Sequence, residues 1–334
     1  MTRLKALAAG TILGAAVLTG GAASAANICF SFVDLETEFW VAGHQAITKT
    51  LTDAGHTVIE RNANEDANRQ LEQVRDCIAQ NVEGIILIPE DGETATTIVA
   101  EAQDADVPIA VFNRPPSDLS KGIVVVADNA TIAGQAVDSI IEKAIAAKPE
   151  GELNAIIVVG DLGDPNAVGR KDGFYASIEK HKDRFKVTEV ASQWDAATAL
   201  SNLEAAVTAN PQVDLLFTSS DFLWPTIRSV FEPRGLWKKT GEDGHVWMAG
   251  LDGDATACQL IKEGYVDATG VQDLYFEADQ SLQAILAAID AGEAQPNAVI
   301  EEPVFALTTD NLGEREMDMW GCVLLSQGFL KNKS

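Results

Sequence analysis

The chain has 334 residues, with 24 Lys and Arg against 50 Asp and Glu, and its formal net charge at pH 7 is −26. Such an acidic chain lacks the basic surface with which nucleic-acid-binding proteins neutralise phosphates, so we expect no nucleic-acid partner. With 46% apolar and 22% charged residues, the composition is that of a globular protein and excludes a largely disordered or wholly membrane-embedded chain.

The first 26 residues have the pattern of a secretory signal peptide. Residues 3–5 carry two positive charges, residues 6–18 are mainly apolar, and residues 23–25 supply the small side chains of a cleavage site. The apolar stretch is shorter than the roughly 20 residues that a membrane-spanning helix needs. We therefore expect an exported protein that is cleaved near Ala25 or Ala26.

From residue 27 onwards, short apolar runs rich in β-formers alternate with longer amphipathic stretches, which is typical of βαβ units around a parallel sheet. The first set of predicted strands is Ile28–Val33, Thr57–Glu60, Gly84–Ile88, Pro108–Phe112 and Gly122–Val126. Predicted helices lie near 39–54, 66–81 and 93–105. Gly55 follows the first helix as a C′ glycine, which ends it.

The same alternation then repeats. The second set of predicted strands is Ala155–Val159, Phe185–Val190, Asp214–Thr218, Val246–Leu251 and Asp267–Val271. Predicted helices lie near 166–182, 196–209, 222–233 and 255–263. A helix near 276–292 and a strand around Ala298–Val304 follow, and we expect the tail 308–334 to contribute a packed strand.

The pattern predicts an α/β fold with two doubly wound parallel-sheet lobes. No Gly/Ser-rich or Pro-rich linker separates the two halves, which favours an ordered, multi-strand hinge. We expect the first lobe to comprise residues 27–130 and 274–303, and the second to comprise residues 131–273 and 304–334. Ligands of such folds bind at the carboxyl ends of the strands, which two lobes can present to a common cleft.

The cysteines are even in number and lie in a chain expected to reach an oxidising compartment, so disulfides are possible. They are Cys29, Cys77, Cys258 and Cys322. Each could equally serve as a small buried apolar residue, and the sequence leaves this open. None has the close spacing of a zinc or redox site.

Short motifs lie along the chain in a fixed order up to about residue 305. They are Ile28–Val33, Glu38-Phe39-Trp40, Ile85–Pro89, Val107–Arg114, Asp128-Asn129, Gly169–Phe174, Gln193-Trp194-Asp195, Ser219-Ser220-Asp221, Gly250–Gly253 and Gly270-Val271-Gln272. As an ordered set they resemble the periplasmic sugar-binding proteins of the ribose/galactose type, which serve ABC transporters. The resemblance implies the type I periplasmic binding fold, a periplasmic location, a monomer and no enzymatic activity.

A sugar presents apolar C–H faces and a rim of hydroxyls, so its site needs aromatic plates and planar polar groups. The resemblance gives Phe39, Trp40 and Trp194 as the plates, although each could instead be a core aromatic. It gives the polar contacts as Asn113, Arg114, Arg170, Ser220, Asp252 and Gln272. Guanidinium groups can donate paired hydrogen bonds to hydroxyls, whereas the alternatives are surface arginines and turn or cap residues.

Some positions depart from the ribose-type pattern. Ile88 and Thr37 stand where the ribose binder has Asn, and Asn113-Arg114 replaces the usual Asp-Arg. These departures argue against ribose itself, and a hexose, another pentose or a polyol fits as well. The acidic loop Gly160–Asn166 lacks the spaced Gly and terminal Glu of a calcium loop, so we expect neither a metal nor a cofactor.

The sequence thus predicts a periplasmic protein that captures a neutral sugar or polyol between two lobes and delivers it to an ABC transporter permease. An exported glycosidase is one alternative, and it would need two carboxylates held across a glycosidic bond. Presentation of the bound ligand to a chemoreceptor or sensor kinase is another. A transcription factor of the same fold would need an N-terminal helix-turn-helix, where this chain has its export segment.

Overall fold

The computed structural model describes residues 25–332, so the predicted signal peptide lies almost wholly outside the described residues. Two six-stranded sheets form the molecule. The strands of sheet A are β1 Asn27–Phe32, β2 Thr57–Asn62, β3 Gly84–Leu87, β4 Ile109–Phe112, β5 Gly122–Val126 and β11 Asn297–Glu301. The strands of sheet B are β6 Leu153–Val159, β7 Phe185–Ala191, β8 Leu215–Thr218, β9 Trp247–Asp252, β10 Ala268–Val271 and β12 Phe305–Thr308.

The strands run in the order β11-β5-β4-β3-β1-β2 in sheet A and β12-β10-β9-β8-β6-β7 in sheet B. All neighbours are parallel except β10 and β12. Strands β3, β4, β5 and β8 are buried at every residue, as expected for parallel sheets that helices cover on both faces. This confirms the predicted fold class of two doubly wound lobes.

Helices cover both sheets. They are α1 Glu38–Asp53, α2 Ala67–Ala79, α3 Gly92–Asp104, α4 Asn129–Ala147, α5 Pro165–Glu179, α6 Ala196–Ala209, α7 Trp224–Phe231, α8 Ala255–Glu263, α9 Leu274–Ala291, α10 Leu312–Arg315 and α11 Trp320–Ser326. Seven of the longer helices begin at a residue whose side chain accepts a hydrogen bond from a first-turn N–H. These N-caps are Thr37, Asp66, Asp91, Asp128, Asp164, Asp195 and Asp273.

The chain passes between the sheets three times. After β5 it enters α4, which packs on α5 and on β9 of sheet B. After β10 it returns through α9, which packs on α1, β4 and β5 of sheet A. The last passage leads from β11 to β12. Three connections therefore join the two lobes as a hinge.

The structure corrects three predicted elements. The single strand expected around Ala298–Val304 is two strands, because Pro303 has no N–H for a ladder and interrupts the run between β11 and β12. Helix α4 follows the capping residue Asp128 and was not predicted. The tail is not a single strand, since β12 ends at Thr308 and mainly helical turns follow.

Both pairs of cysteines form disulfides, which the sequence left open. One joins Cys29 of β1 to Cys77 of α2, and the other joins Cys258 of α8 to Cys322 of α11. Within residues 25–332, no helix is both long enough and apolar enough to span a bilayer.

Candidate functional site

A cavity of about 630 Å³ lies between the carboxyl ends of the two sheets. Its volume is within the range of roughly 300–1,000 Å³ that is usual for small-molecule sites. All nine site residues predicted from the sequence line it: Phe39, Trp40, Asn113, Arg114, Arg170, Trp194, Ser220, Asp252 and Gln272. The fold therefore brings these nine residues together around one cavity. Their role in ligand binding stays a prediction.

The aromatic residues come from both lobes. Phe39 and Trp40 lie in the first turn of α1, after β1, with their rings edge to face and their centroids 5.0 Å apart. Trp194 follows β7 with a positive φ of 58°. Its ring packs directly over Gly160, where a Cβ would lie 2.2 Å from the indole. A side chain at position 160 would thus displace the Trp194 ring from the cavity wall.

Each of two arginines faces one of these indoles. The Arg114 guanidinium carbon lies 5.5 Å from the centroid of the Trp40 ring, and that of Arg170 lies 5.6 Å from the Trp194 ring. Both distances are within the range of cation–π attraction, about 6 Å. The cavity therefore has an arginine–tryptophan pair from each lobe.

Arg170 is bound by several groups of sheet B and the hinge. Its Nε donates to Asn129 Oδ1 at 2.7 Å, its Nη1 to Ser219 O at 2.6 Å and its Nη2 to Gln272 Oε1 at 2.5 Å. Its Nη1 also forms an ion pair with Asp252 Oδ1 at 2.9 Å. The guanidinium plane is therefore held in one orientation.

Arg114 bridges the cleft instead. Its Nη1 donates to the carbonyl oxygens of Pro89, at 3.1 Å, and Glu90, at 2.7 Å, which belong to its own lobe. Its Nε pairs at 2.9 Å with Oδ2 of Asp164, which caps α5 in the other lobe. The Asp164 Oδ2 atom also accepts from Trp194 Nε1 at 3.1 Å. This carboxylate thus ties the two arginine–tryptophan pairs together.

Asp252 ends β9 in a conformation that favours glycine, with a φ of 129°. Ser220 Oγ donates to its carboxylate, and Trp320 Nε1 donates to its carbonyl oxygen at 3.0 Å. Burial raises the pKa of Asp252, although the Arg170 guanidinium opposes this shift. Neighbouring Asp221 is also buried, and burial followed by repulsion from Asp252 raises its pKa to about 7.

Asn113 and Gln272 connect the cavity to the hinge. Asn113 Nδ2 donates to Glu277 Oε2 at 2.9 Å, and its Oδ1 accepts from Asn166 Nδ2 of the other lobe at 3.1 Å. Burial raises the pKa of Glu277 to about 8, and burial followed by repulsion from Glu277 raises that of Glu302 to about 10. Protonated carboxyl groups therefore lie beside the connecting segments at neutral pH.

Two further contacts close the cleft away from the arginines. Thr256 Oγ1, at the start of α8, donates to Glu38 Oε1 of α1 at 2.9 Å. The Trp320 ring packs edge to face on Phe39, with centroids 5.8 Å apart. The lobes thus meet on both sides of the cavity.

A family model described as a periplasmic binding protein domain matches residues 28–294. The chain belongs to this periplasmic binding protein family. The resemblance inferred from the short motifs is therefore confirmed, and the matched family is one of binding proteins.

Curated relatives of this periplasmic binding protein cover most of its length. The D-xylose-binding periplasmic protein of Haemophilus influenzae is 25% identical over 280 residues, which are 82% of this chain and 81% of the relative. The xylitol-binding protein of Mycolicibacterium smegmatis is 23% identical, over 82% of this chain and 77% of its own.

A solved structure supports the fold. The carbohydrate transporter solute-binding protein of Agrobacterium radiobacter, in complex with D-arabinose, matches with a TM-score of 0.76. It is 20% identical, and the match covers 88% of this chain and 98% of that one. This likeness supports the two-lobed architecture of the periplasmic binding protein.

Several residues that line the cavity are not among the nine predicted from the sequence. Asp164 and Asn166 were considered only as part of a calcium loop, although they follow β6 just as the predicted residues follow their strands. The carboxylates Asp34, Glu65 and Glu90 also line the cavity. The rule that ligand-binding residues follow the carboxyl ends of parallel strands could have found all of these residues. In contrast, no local signal indicates Trp320, which reaches Asp252 from the C-terminal tail.

Proposed function

We propose that this periplasmic binding protein captures a sugar or polyol between its two lobes and delivers it to the membrane permease of an ABC transporter. The observation that carries the proposal is the presence of one arginine–tryptophan pair from each lobe on a single cavity. Aromatic faces suit the C–H surface of a sugar, and guanidinium groups suit its hydroxyls. The names of the xylose-binding and xylitol-binding relatives support this ligand class.

The two arginines have different roles in this proposal. Arg114 Nη2 has no hydrogen-bond partner within residues 25–332, so it is available to a ligand hydroxyl. Arg170 is already bound at all three nitrogens and holds Asp252 and Gln272 in place as acceptors. A ligand that lacks the matching hydroxyls would leave these buried polar groups unpaired, which is the source of specificity.

Lobe closure completes the proposed mechanism. Residues 27–130 with 274–303 form one moving unit, and residues 131–273 with 304–334 form the other. The ligand favours the closed form through contacts that the open form lacks. The protein acts as a monomer in the periplasm after loss of its signal peptide, and no bond of the ligand is broken.

A thermal-shift screen of the protein without residues 1–26 tests the proposal. The panel contains pentoses, hexoses and their alditols, with amino acids and carboxylic acids as controls. We expect a sugar or polyol to raise the melting temperature, because a ligand that binds only the folded state stabilises it. Calorimetric titration then gives the affinity. A response to amino acids or carboxylic acids alone would contradict the proposed ligand class.

A further inference from the structure

Three carboxylates of the cavity come from the ends of three neighbouring strands. Asp34 follows β1, Glu65 follows β2 and Glu90 follows β3. These strands lie side by side in the order β3-β1-β2. Since the carboxyl ends of parallel strands meet at one edge of a sheet, the three side chains converge on the same wall of the cavity. We call them the acidic wall.

The Arg114 guanidinium opposes the raised pKa of each carboxyl group of the acidic wall, but it already pairs with Asp164 at 2.9 Å. The two arginines of the cavity each have a carboxylate at 2.9 Å, Asp164 for Arg114 and Asp252 for Arg170. Among the described residues that line the cavity there is no lysine. Throughout residues 25–332, no ion pair includes Asp34, Glu65 or Glu90. The charge of the cavity is therefore unbalanced on this side.

The carboxylate oxygens of the acidic wall are also incompletely hydrogen-bonded. Asp34 is only 9% exposed, and its Oδ1 accepts from Glu36 N at 2.7 Å, while its Oδ2 has no partner within the described chain. Glu90 Oε2 is buried and has no partner there either. Burial, and then repulsion from Asp34 and other carboxylates, raises the pKa of Glu65. Glu65 is exposed, whereas the unpaired acceptors of Asp34 and Glu90, which are little exposed, are costly unless a donor meets them.

We propose that the captured sugar or polyol carries a protonated amino group, which binds to the acidic wall formed by Asp34, Glu65 and Glu90. The inference rests on the proposed function and narrows its ligand class to amino sugars and amino polyols. An ammonium group supplies one positive charge and three N–H donors. It therefore balances negative charge of the acidic wall and donates to the carboxylate oxygens that have no partner. Within residues 25–332, no group of three His, Cys, Asp or Glu side chains is placed to hold a metal ion.

Matched sets of three sugars test this assignment. Each set contains a neutral sugar, its 2-amino derivative and the N-acetylated amine, for example glucose, glucosamine and N-acetylglucosamine, or the galactose equivalents. Calorimetric titration at pH 7 gives the affinities. We expect at least one amine to bind about tenfold or more tightly than both neutral members of its set, the effect of one charge-assisted hydrogen bond. Added salt reduces this preference.

Charge-neutral variants test whether the preference for the amine comes from the acidic wall. In the double variant Glu65→Gln with Glu90→Gln, we expect the ratio of the amine's affinity to that of the neutral sugar to fall to about twofold or less. Glu204→Gln is the matched control, because Glu204 is an exposed glutamate of α6 outside the cavity, and it should leave the preference unchanged. Circular dichroism checks that each variant is folded.

The outcomes separate the two proposals. Neutral sugars that bind as tightly as their amines would overturn the acidic-wall assignment and leave the proposed function standing. A preference for amines that survives in the double variant would also overturn it. If no sugar, polyol or amine binds, or if Ca²⁺ alone stabilises the protein, both proposals fail.

Discussion

The two arginine–tryptophan pairs of the cavity look alike but are supported differently. Arg170 makes its contacts with Asn129, Ser219, Gln272 and Asp252, all on the side of sheet B and the hinge. Arg114 instead forms its ion pair across the cleft with Asp164. Opening of the lobes would keep the contacts of Arg170 with Ser219, Asp252 and Gln272 and break the ion pair of Arg114. The difference indicates that Arg170 is a fixed platform, whereas Arg114 takes part in closure.

The largest expected effect comes from removing the fixed platform. In Arg170→Met, buried Asp252 loses its ion-pair partner, so we expect the free energy of unfolding to fall by about 3–5 kcal/mol. Urea unfolding followed by circular dichroism measures it. Arg69→Met, at an exposed position of α2, is the control and should cost less than about 0.5 kcal/mol. A loss for Arg170→Met as small as the control's would show that the platform has no structural role.

Removing the other arginine should affect binding more than stability. In Arg114→Met, Asp164 can be hydrated when the lobes separate, so we expect the free energy of unfolding to fall by only about 1 kcal/mol. The affinity for a sugar found in the screen should fall about tenfold or more, because closure loses its cross-cleft pair. Calorimetry and urea unfolding measure the two effects. Equal losses of stability in the two arginine variants would refute the distinction between them.

The tail provides a finer test of the platform. Trp320→Phe removes the hydrogen bond to the Asp252 carbonyl, and we expect a loss of about 1 kcal/mol in the free energy of unfolding. Trp237 is the matched control, because its buried Nε1 has no hydrogen-bond partner within residues 25–332. Trp237→Phe should therefore cost less than Trp320→Phe in the same urea experiment. The reverse order would count against the role given to the tail.

The last expected effect depends on pH and concerns the hinge carboxyls beside Arg170. Burial raises the pKa of Glu302 from its ordinary value of 4.5 to about 10, so the folded protein keeps a proton that the unfolded chain releases. Between these values stability falls as pH rises. Glu302→Gln removes this contribution, and we expect its advantage over the wild type to grow as the pH rises from 6 to 9, by at most about 1.4 kcal/mol per pH unit.

Thermal and urea unfolding across that pH range give the slopes for both proteins. Glu301→Gln, at the exposed neighbouring position on β11, is the control and should keep the wild-type slope. Parallel pH profiles for the wild type and Glu302→Gln would show that Glu302 is ionised in the folded protein.

Much of the fold follows from local patterns in the sequence. Alternating apolar runs predicted ten strands of the two sheets because parallel strands are short, buried and separated by helices. The division of the single strand expected around Ala298–Val304 into β11 and β12 was missed, since it depends on the break at Pro303 and on partners far along the chain. Helix α4 was missed although Asp128 marks its start.

The candidate site was predictable where one rule applied. Residues that follow parallel strands converge, and the resemblance selected nine of them, all of which line the cavity. Asp34, Glu65 and Glu90 obey the same rule, but in a chain with 50 acidic residues nothing distinguished them from surface carboxylates. Trp320 depends on tertiary packing that no spacing reveals.

Each disulfide joins two elements of the same lobe, Cys29 to Cys77 on the side of sheet A and Cys258 to Cys322 on the side of sheet B. Neither covalent cross-link spans the cleft. Oxidation after export would therefore stiffen each half internally and leave the rotation of one half against the other unrestrained.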